Sequence, residues 1–225
     1  MVRSLYGVES VSAEDARMRR VNRDSLPHMI DCANRMIAKG WHMPWALLAA
    51  KWWGVELGRG CSFVGSPRFR RHPRSQIRIG PDCRFYSSRM SNLIGVNRRC
   101  MISTLGEGAE IDIGPHCGFT GTTIGCAQRI VLAPRVRCGA NTLITDTDWH
   151  TDDPRVGPDA PITIGNNVWL GVNVTVLKGV TIGEDTLVGA GSLVTHSLPA
   201  GVVAAGVPAQ VIREISAADR DAMHT

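Results

Sequence analysis

Ile164-Gly-Asn-Asn-Val-Trp, Leu170-Gly-Val-Asn-Val-Thr, Val176-Leu-Lys-Gly-Val-Thr, Ile182-Gly-Glu-Asp-Thr-Leu and Val188-Gly-Ala-Gly-Ser-Leu run in phase, and Val194 opens the next hexad. A period of six matches neither the 3.6 of a helix nor the plain alternation of a strand. It fits short flat strands set around a prism, one side per hexad, with three hexads closing a triangular coil. The aliphatic residue that opens each hexad then points inward. A second inward position falls four residues later, at Val168, Val174, Val180, Thr186 and Ser192, all small or β-branched as a narrow interior requires. Such repeats bury their faces only against their neighbours, so they stack.

The same signal returns upstream with interruptions. Ile79-Gly-Pro-Asp-Cys-Arg, Ile113-Gly-Pro-His-Cys-Gly, Leu132-Ala-Pro-Arg-Val-Arg and Cys138-Gly-Ala-Asn-Thr-Leu carry it, the last leading to Ile144. The expected solenoid runs from Leu57 to Ala200, residues 57–200. Residues 1–56 form an N-terminal helical cap or extension, and 201–225 a return segment with a last helix over Ala217–Met223, capped by Ser216. A short helix is expected near Ala13–Asn22, and Pro44 suits the first turn of a helix over Trp45–Trp53.

The 225 residues give room for one large domain. No apolar run reaches membrane-spanning length and the first residues lack a signal-peptide pattern, which places the expected protein in the cytoplasm, with the inner face of the membrane as a refinement. The seven cysteines are odd in number and form no CxxC, so they read as buried thiols in a reducing compartment. The net charge of +5 is unevenly spread: residues 57–140 hold thirteen arginines against four acids, and 141–214 hold three bases against eight acids. Arg68, Arg70, Arg71, His72, Arg74 and Arg78 cluster. The bland reading is a solvated arginine-rich surface, and the sharper one is a patch for phosphate, acidic glycan or a membrane surface. Nucleic acid is not expected, since no basic helix or aromatic-basic motif accompanies the patch. Trp41, Trp45, Trp52 and Trp53 fall in the helical segment. A cap over the open end of the solenoid is one reading of it. Peripheral membrane contact, with tryptophans at headgroup level beside Lys51, is the other.

The coils break once with evident purpose, over 145–161, where Thr-Asp-Thr-Asp-Trp-His-Thr-Asp-Asp-Pro-Arg follows Ile144. A long loop on a rigid scaffold is where function concentrates. His150 there is the candidate general base, because imidazole exchanges its proton near neutral pH. Asp148 and Asp146 are the candidate groups to orient its ring.

Asn141–Ile215 resembles the hexapeptide-repeat acyltransferases, closest to the maltose/galactoside O-acetyltransferases and the exopolysaccharide (colanic-acid-type) acetyltransferases. The words that carry it are Asp-Trp-His at 148–150, Ile-Gly-Asn-Asn-Val-Trp-Leu-Gly at 164–171, Gly-Ala-Gly-Ser at 189–192 and Val-Ala-Ala-Gly-Val-Pro-Ala at 203–209. The resemblance implies an all-β fold, a left-handed parallel β-helix, and a homotrimer with sites between subunits. It makes His150 the base that deprotonates an acceptor hydroxyl for attack on acetyl-CoA, with backbone N–H groups holding the oxyanion and no metal. It maps cofactor contacts onto Val172, Ala190, Thr195, His196, Gln210 and Arg213. No asparagine stands in register within Gly118-Phe-Thr-Gly-Thr-Thr, which points away from a simple disaccharide. Phe119, Thr120 and Trp149 are then the candidates to line the acceptor site. Trp169 packs beside that site or in the trimer interface.

The expected function is acetyl-CoA-dependent O-acetylation of a sugar hydroxyl in surface polysaccharide or glycolipid assembly. The alternatives are N-acylation of an amino sugar or amine, and a non-catalytic β-helical scaffold. A zinc-dependent carbonic anhydrase on the same helix needs closely spaced histidines, which His116 and His150 are not.

Overall fold

The computed structural model describes residues 25–150, 153–216 and 218–219. It begins with one helix, α1 (Ser25–Trp52), followed by short strands in sets of three. The first coil holds β1 (Glu56–Leu57), β2 (Ser62–Val64) and β3 (Arg68–Arg70). The second holds β4 (Gln76–Ile79), β5 (Arg84–Tyr86) and β6 (Met101–Thr104), and the third β7 (Glu110–Ile113), β8 (Gly118–Thr120) and β9 (Thr123–Cys126). Then come β10 (Arg129–Leu132), β11 (Arg137–Cys138) and β12 (Leu143–Thr145), and after the long loop β13 (Ile162–Ile164), β14 (Trp169–Leu170) and β15 (Thr175–Val176). The sixth coil is β16 (Thr181–Ile182), β17 (Leu187–Val188) and β18 (Leu193–Val194), and the chain closes with β19 (Val202–Gly206) and β20 (Ala209–Glu214). Every third strand pairs in parallel with the next, giving three sheets: β1-β4-β7-β10-β13-β16, β2-β5-β8-β11-β14-β17-β19-β20 and β3-β6-β9-β12-β15-β18. Among the described residues only β19 and β20 are antiparallel. Three parallel sheets of repeating strands are the pattern of a left-handed parallel β-helix.

The inward positions are those the period predicts. Ile164, Leu170, Val176, Ile182, Val188 and Val194 are all fully buried, and Val168, Val174, Val180, Thr186 and Ser192 are 0–1 % exposed. The pairing register turns them into columns. In the second sheet the column runs Phe63, Phe85, Phe119, Cys138, Leu170, Val188 and Ala204. It starts on phenylalanine and ends on alanine, with the small Cys138 between Phe119 and Leu170. The three phenylalanines stack with ring centroids 5.0 Å apart at each step, an offset arrangement worth more than its area alone. Phe119 is 1 % exposed and part of this stack. It therefore does not line an acceptor pocket, contrary to the expectation for it. The hexad register decides this, because Phe119 pairs with the inward residues Phe85 and Cys138. Thr120, 8 % exposed, takes the Asn141 N–H on its carbonyl at 2.9 Å and offers little more surface.

Between the first and second sheets each coil turns through a left-handed residue: Gly60 with φ of 75° in the first, then Asp82, His116, Arg135, Asn167 and Asp185 with φ of 56° to 62°. Asn and Asp tolerate this region better than other non-glycine residues, because their short polar side chains bond locally. Asn167 does so, its Nδ2 donating to Asp185 Oδ1 of the next coil at 2.7 Å.

Two features differ from expectation. The coils break twice rather than once: residues 87–100 leave between β5 and β6, and expose Met90, Leu93 and Ile94. The excursion has no period to betray it. Asn141 secures it, with Nδ2 donating to the Gly95 carbonyl at 3.1 Å and Oδ1 accepting the Asn97 N–H at 3.2 Å. Helix α1 also starts twenty residues before Trp45 and runs through Pro44. A proline inside a helix forfeits one backbone hydrogen bond without ending the helix where packing compensates. From residue 38 on it is packed: Ala46 and Ala50 are buried against the first coil, and His42 Nδ1 lies 3.3 Å from Ser66 Oγ. By contact density the chain divides into Met1–Ile37 and Ala38–Thr225, and the first contributes only the start of α1 to the described residues. The helix expected near Ala13–Asn22 lies outside the described residues. So does most of Ala217–Met223, although Ser216 Oγ accepts the Asp219 N–H at 3.1 Å as an N-cap would.

Six of the seven cysteines are buried and Cys32 is half-exposed. Cys61, Cys83 and Cys117 occupy the small inward position, each thiol donating to a carbonyl of the next coil at 3.3–3.4 Å. The adjoining Cys117 thiol and burial push Cys83 up to about 12, and burial raises Cys100 and Cys138. Since the thiolate is the reactive form, the native protein should release about one equivalent of thionitrobenzoate from Ellman's reagent at pH 8, and seven after denaturation. Three or more fast native equivalents would contradict this packing.

Candidate active site

The loop between β12 and β13 is fixed at both ends. Asp146, fully buried, is its root. Its carboxylate accepts the backbone N–H groups of Ala127 at 2.6 Å, Gln128 at 2.8 Å and Arg129 at 2.9 Å. Its carbonyl accepts the Ala160 N–H at 3.1 Å, which draws the loop's exit back beside its entrance. Ala160 in turn takes the Gly179 N–H at 2.9 Å. The Cys126 thiol donates to Asp146 Oδ2 at 3.3 Å, and burial with the adjacent carboxylate raises that thiol's pKa.

Further along, Lys178 Nζ donates to Asp148 Oδ2 and to the Gly157 carbonyl, both at 2.7 Å. One lysine thus ties the two limbs of the loop. Asp153 N–H donates to the His150 carbonyl at 3.0 Å, and Arg155 forks onto the Asp153 carboxylate at 2.9 and 2.6 Å. The guanidinium holds Asp153 below the usual carboxylate range.

Trp149 has φ of 70°, a left-handed conformation that costs a bulky residue roughly 1–3 kcal/mol. Its ring lies on the outer face of the third sheet, over Gly125. A Cβ at Gly125 would stand 2.6 Å from the Trp149 ring, so glycine is what makes the seat. The strain and the seat together aim the next residue, His150, outward. The His150 side chain is exposed, and no described residue hydrogen-bonds its ring.

This placement differs from the expected orienting roles. The Asp146 oxygens are spent on backbone N–H groups and Asp148 is paired with Lys178, so each carboxylate holds the loop rather than the ring. Lys178 sits within a regular hexad, Val176-Leu-Lys-Gly, where nothing in the period marks it as functional. The one available signal was its being one of three lysines in the chain. Asp152 lies outside the described residues.

The positions mapped for a cofactor fall into two groups. Val172 and Ala190 stand on consecutive coils where the second sheet turns into the third, joined by the Gly191 N–H to Val172 carbonyl bond of 2.7 Å. Gly171 is required there, since its Cβ would meet the Ala190 nitrogen at 2.6 Å. Gln210 pairs with Ala205, which packs beside Gly189, so the hairpin brings Gln210 to the same edge. Arg213 is exposed on the same strand. Thr195 and His196 lie at the opposite end of β18, with Thr195 Oγ1 2.8 Å from His196 Nδ1. Thr195 follows Val194 as Thr145 follows Ile144, and the register places them in one column two rungs apart, about 10 Å. The third sheet's outer face therefore carries the His150 loop and Thr195 together, with Val172 and Ala190 along its edge. Ala190 and Gly191 are exposed there. Trp169 is exposed on the second sheet, with the Arg137 guanidinium 5.6 Å from its ring centre.

The face is open. Two clefts of about 390 and 450 Å³ lie beside the first sheet, lined by charged pairs such as Arg74–Glu107 and Arg129–Glu110, and His150 lines neither.

Residues 161–196 match the family model described as bacterial transferase hexapeptide (six repeats). The galactoside O-acetyltransferase of Escherichia coli K12 is 45 % identical over 101 residues, 44 % of this chain and 47 % of that protein. WbbJ of the same strain, described as a candidate lipopolysaccharide-biosynthesis O-acetyl transferase, is 40 % identical over 35 % of this chain and 50 % of its own. The chain thus spans about half the length of these curated relatives. Among solved structures, a point mutant of AntD, an N-acyltransferase from Bacillus cereus in complex with dTDP and coenzyme A, superposes with a TM-score of 0.58. It covers 78 % of this chain and 91 % of its own at 18 % identity, a likeness of fold.

Proposed function

We propose that this chain, which belongs to the hexapeptide-repeat transferase superfamily, transfers an acetyl group from acetyl-CoA to a sugar hydroxyl, with residues 57–200 as the catalytic solenoid. The observation that carries the reading is the stapled loop, in which a strained Trp149 presents an exposed His150 beside an edge of small residues. The neutral His150 imidazole accepts the acceptor hydroxyl's proton as the oxygen bonds to the acetyl carbonyl carbon. It then returns that proton to the thiolate as the C–S bond breaks. Thiolate is a good leaving group, so the residues need supply only proton transfer, positioning and N–H donors for the oxyanion.

The openness of the face around His150 favours a homotrimer, in which the neighbouring subunit closes the site. The arginine-rich first coils favour an anionic or membrane-linked glycan, acetylated on the cytoplasmic side where acetyl-CoA is made. Release of CoA thiol should be read over a panel of disaccharides, surface glycans, lipid-linked sugars and amino sugars. Turnover is expected with hydroxyl acceptors, and higher kcat/KM with the anionic glycans than with neutral disaccharides. Turnover confined to amino sugars would replace O- by N-acylation. No CoA binding would overturn the transferase reading.

A further inference from the structure

We infer that the outer face of α1 binds the surface of an anionic phospholipid bilayer. Trp41, Trp45, Leu48 and Trp52 follow one another at i, i+4, i+7 and i+11, the spacing of a single helix stripe. They are 70, 56, 56 and 82 % exposed. The stripe cannot rotate inward, because the opposite face is already used: Ala46 and Ala50 are buried on the first coil at 0 and 2 %. Alanine there lets the helix lie close. His42 meets Ser66, and Arg71 Nε donates to the Trp53 carbonyl at 2.8 Å, fixing the helix end. The two readings of this helix are therefore one arrangement, with a cap on one side and a binding face on the other.

The chemistry of the occupant follows from the residue types and charge. Tryptophan prefers the bilayer–water boundary, where its body is apolar and its indole N–H stays wet. Residues 38–74 contain seven lysines and arginines and one acid, Glu56. Of these bases Lys51, Arg59, Arg68, Arg70 and Arg74 are exposed, Arg74 in an ion pair with Glu107. An aromatic stripe on a helix that carries Lys51, followed by an arginine-rich first coil, fits a negatively charged headgroup layer. Among the described residues no helix is long and apolar enough to cross a membrane, so the helix lies on the bilayer.

The test uses the full chain and no CoA, so its outcome is independent of the transferase reading. Flotation with phosphatidylglycerol/phosphatidylcholine vesicles is compared with phosphatidylcholine vesicles at about 0.1 and 0.5 M salt. Binding should be at least about tenfold stronger to the anionic vesicles and fall with salt. Trp45→Glu with Leu48→Glu should abolish it while leaving the circular dichroism spectrum and thermal midpoint unchanged. Lys51→Glu should weaken anionic binding several-fold as a milder change. Absence of flotation with either vesicle would overturn the inference. So would a double variant that lowers the oligomer mass in sedimentation, which would assign the stripe to a second copy of the chain.

Discussion

His150→Ala should lower the acetyl-transfer rate by at least about a hundredfold, the usual contribution of a positioned general base, with CoA still bound and the thermal midpoint unchanged. The side chain is exposed and the loop's fastenings lie elsewhere, in Asp146, Asp148 with Lys178, and the Trp149 ring on Gly125. Removing the imidazole should therefore cost stability no more than about 0.5 kcal/mol, as for surface substitutions generally. Single-turnover rates and differential scanning calorimetry on the same preparation separate the two quantities. A rate within threefold of wild type would exclude His150 as the base. A lost rate with a midpoint fallen by many degrees would mean that the ring is structural.

Asp146→Ala should fail in the opposite way, losing stability and rate together. The substitution strips the acceptor from three backbone N–H groups, those of Ala127, Gln128 and Arg129, inside a site with no exposure at Asp146. An unsatisfied buried donor costs about 1–3 kcal/mol, so the sum is roughly 3–5 kcal/mol after partial relaxation. In a protein of this size that is a fall of about 10 °C in the midpoint. Asp146→Asn keeps one oxygen but turns an amide N–H₂ toward a donor, so it should recover part of the loss. The rate should drop because the carboxylate no longer pins the root of the loop to residues 127–129, so the segment that presents His150 shifts. An unchanged midpoint would show that the carboxylate is dispensable.

The solenoid was legible because its cause is local. Six residues return the chain to the same face, and a prism of fixed width accepts only certain volumes at two positions in each six. Val168, Val174, Val180, Thr186 and Ser192 could be assigned inward before any coordinates, and each is buried. The same rule gives the inward columns of the earlier coils. It puts Phe119 inward too, six residues after Ile113 as Phe85 follows Ile79 and Cys138 follows Leu132, so the expectation of a pocket residue there ran against the period and the pairing bears the period out. Residues 87–100 have no repeat at all, and their anchor is Asn141, more than forty positions away.

The loop at 145–161 was legible in the same sense, as an interruption holding a histidine. Its internal order was not. Nothing near Asp146 in sequence announces that its partners are residues 127–129, nor that Lys178, thirty residues after Asp148, is the tie. By itself the sequence determined the period, the inward residues, one of the two places where the coils open and the family that these resemble. Tertiary structure alone decided which carboxylates fasten the loop, which glycine seats Trp149 and which stripe of α1 is left facing outward. Those outcomes depend on stacking register, which sets one coil against the next through backbone hydrogen bonds common to all residues and so leaves little trace in any one of them.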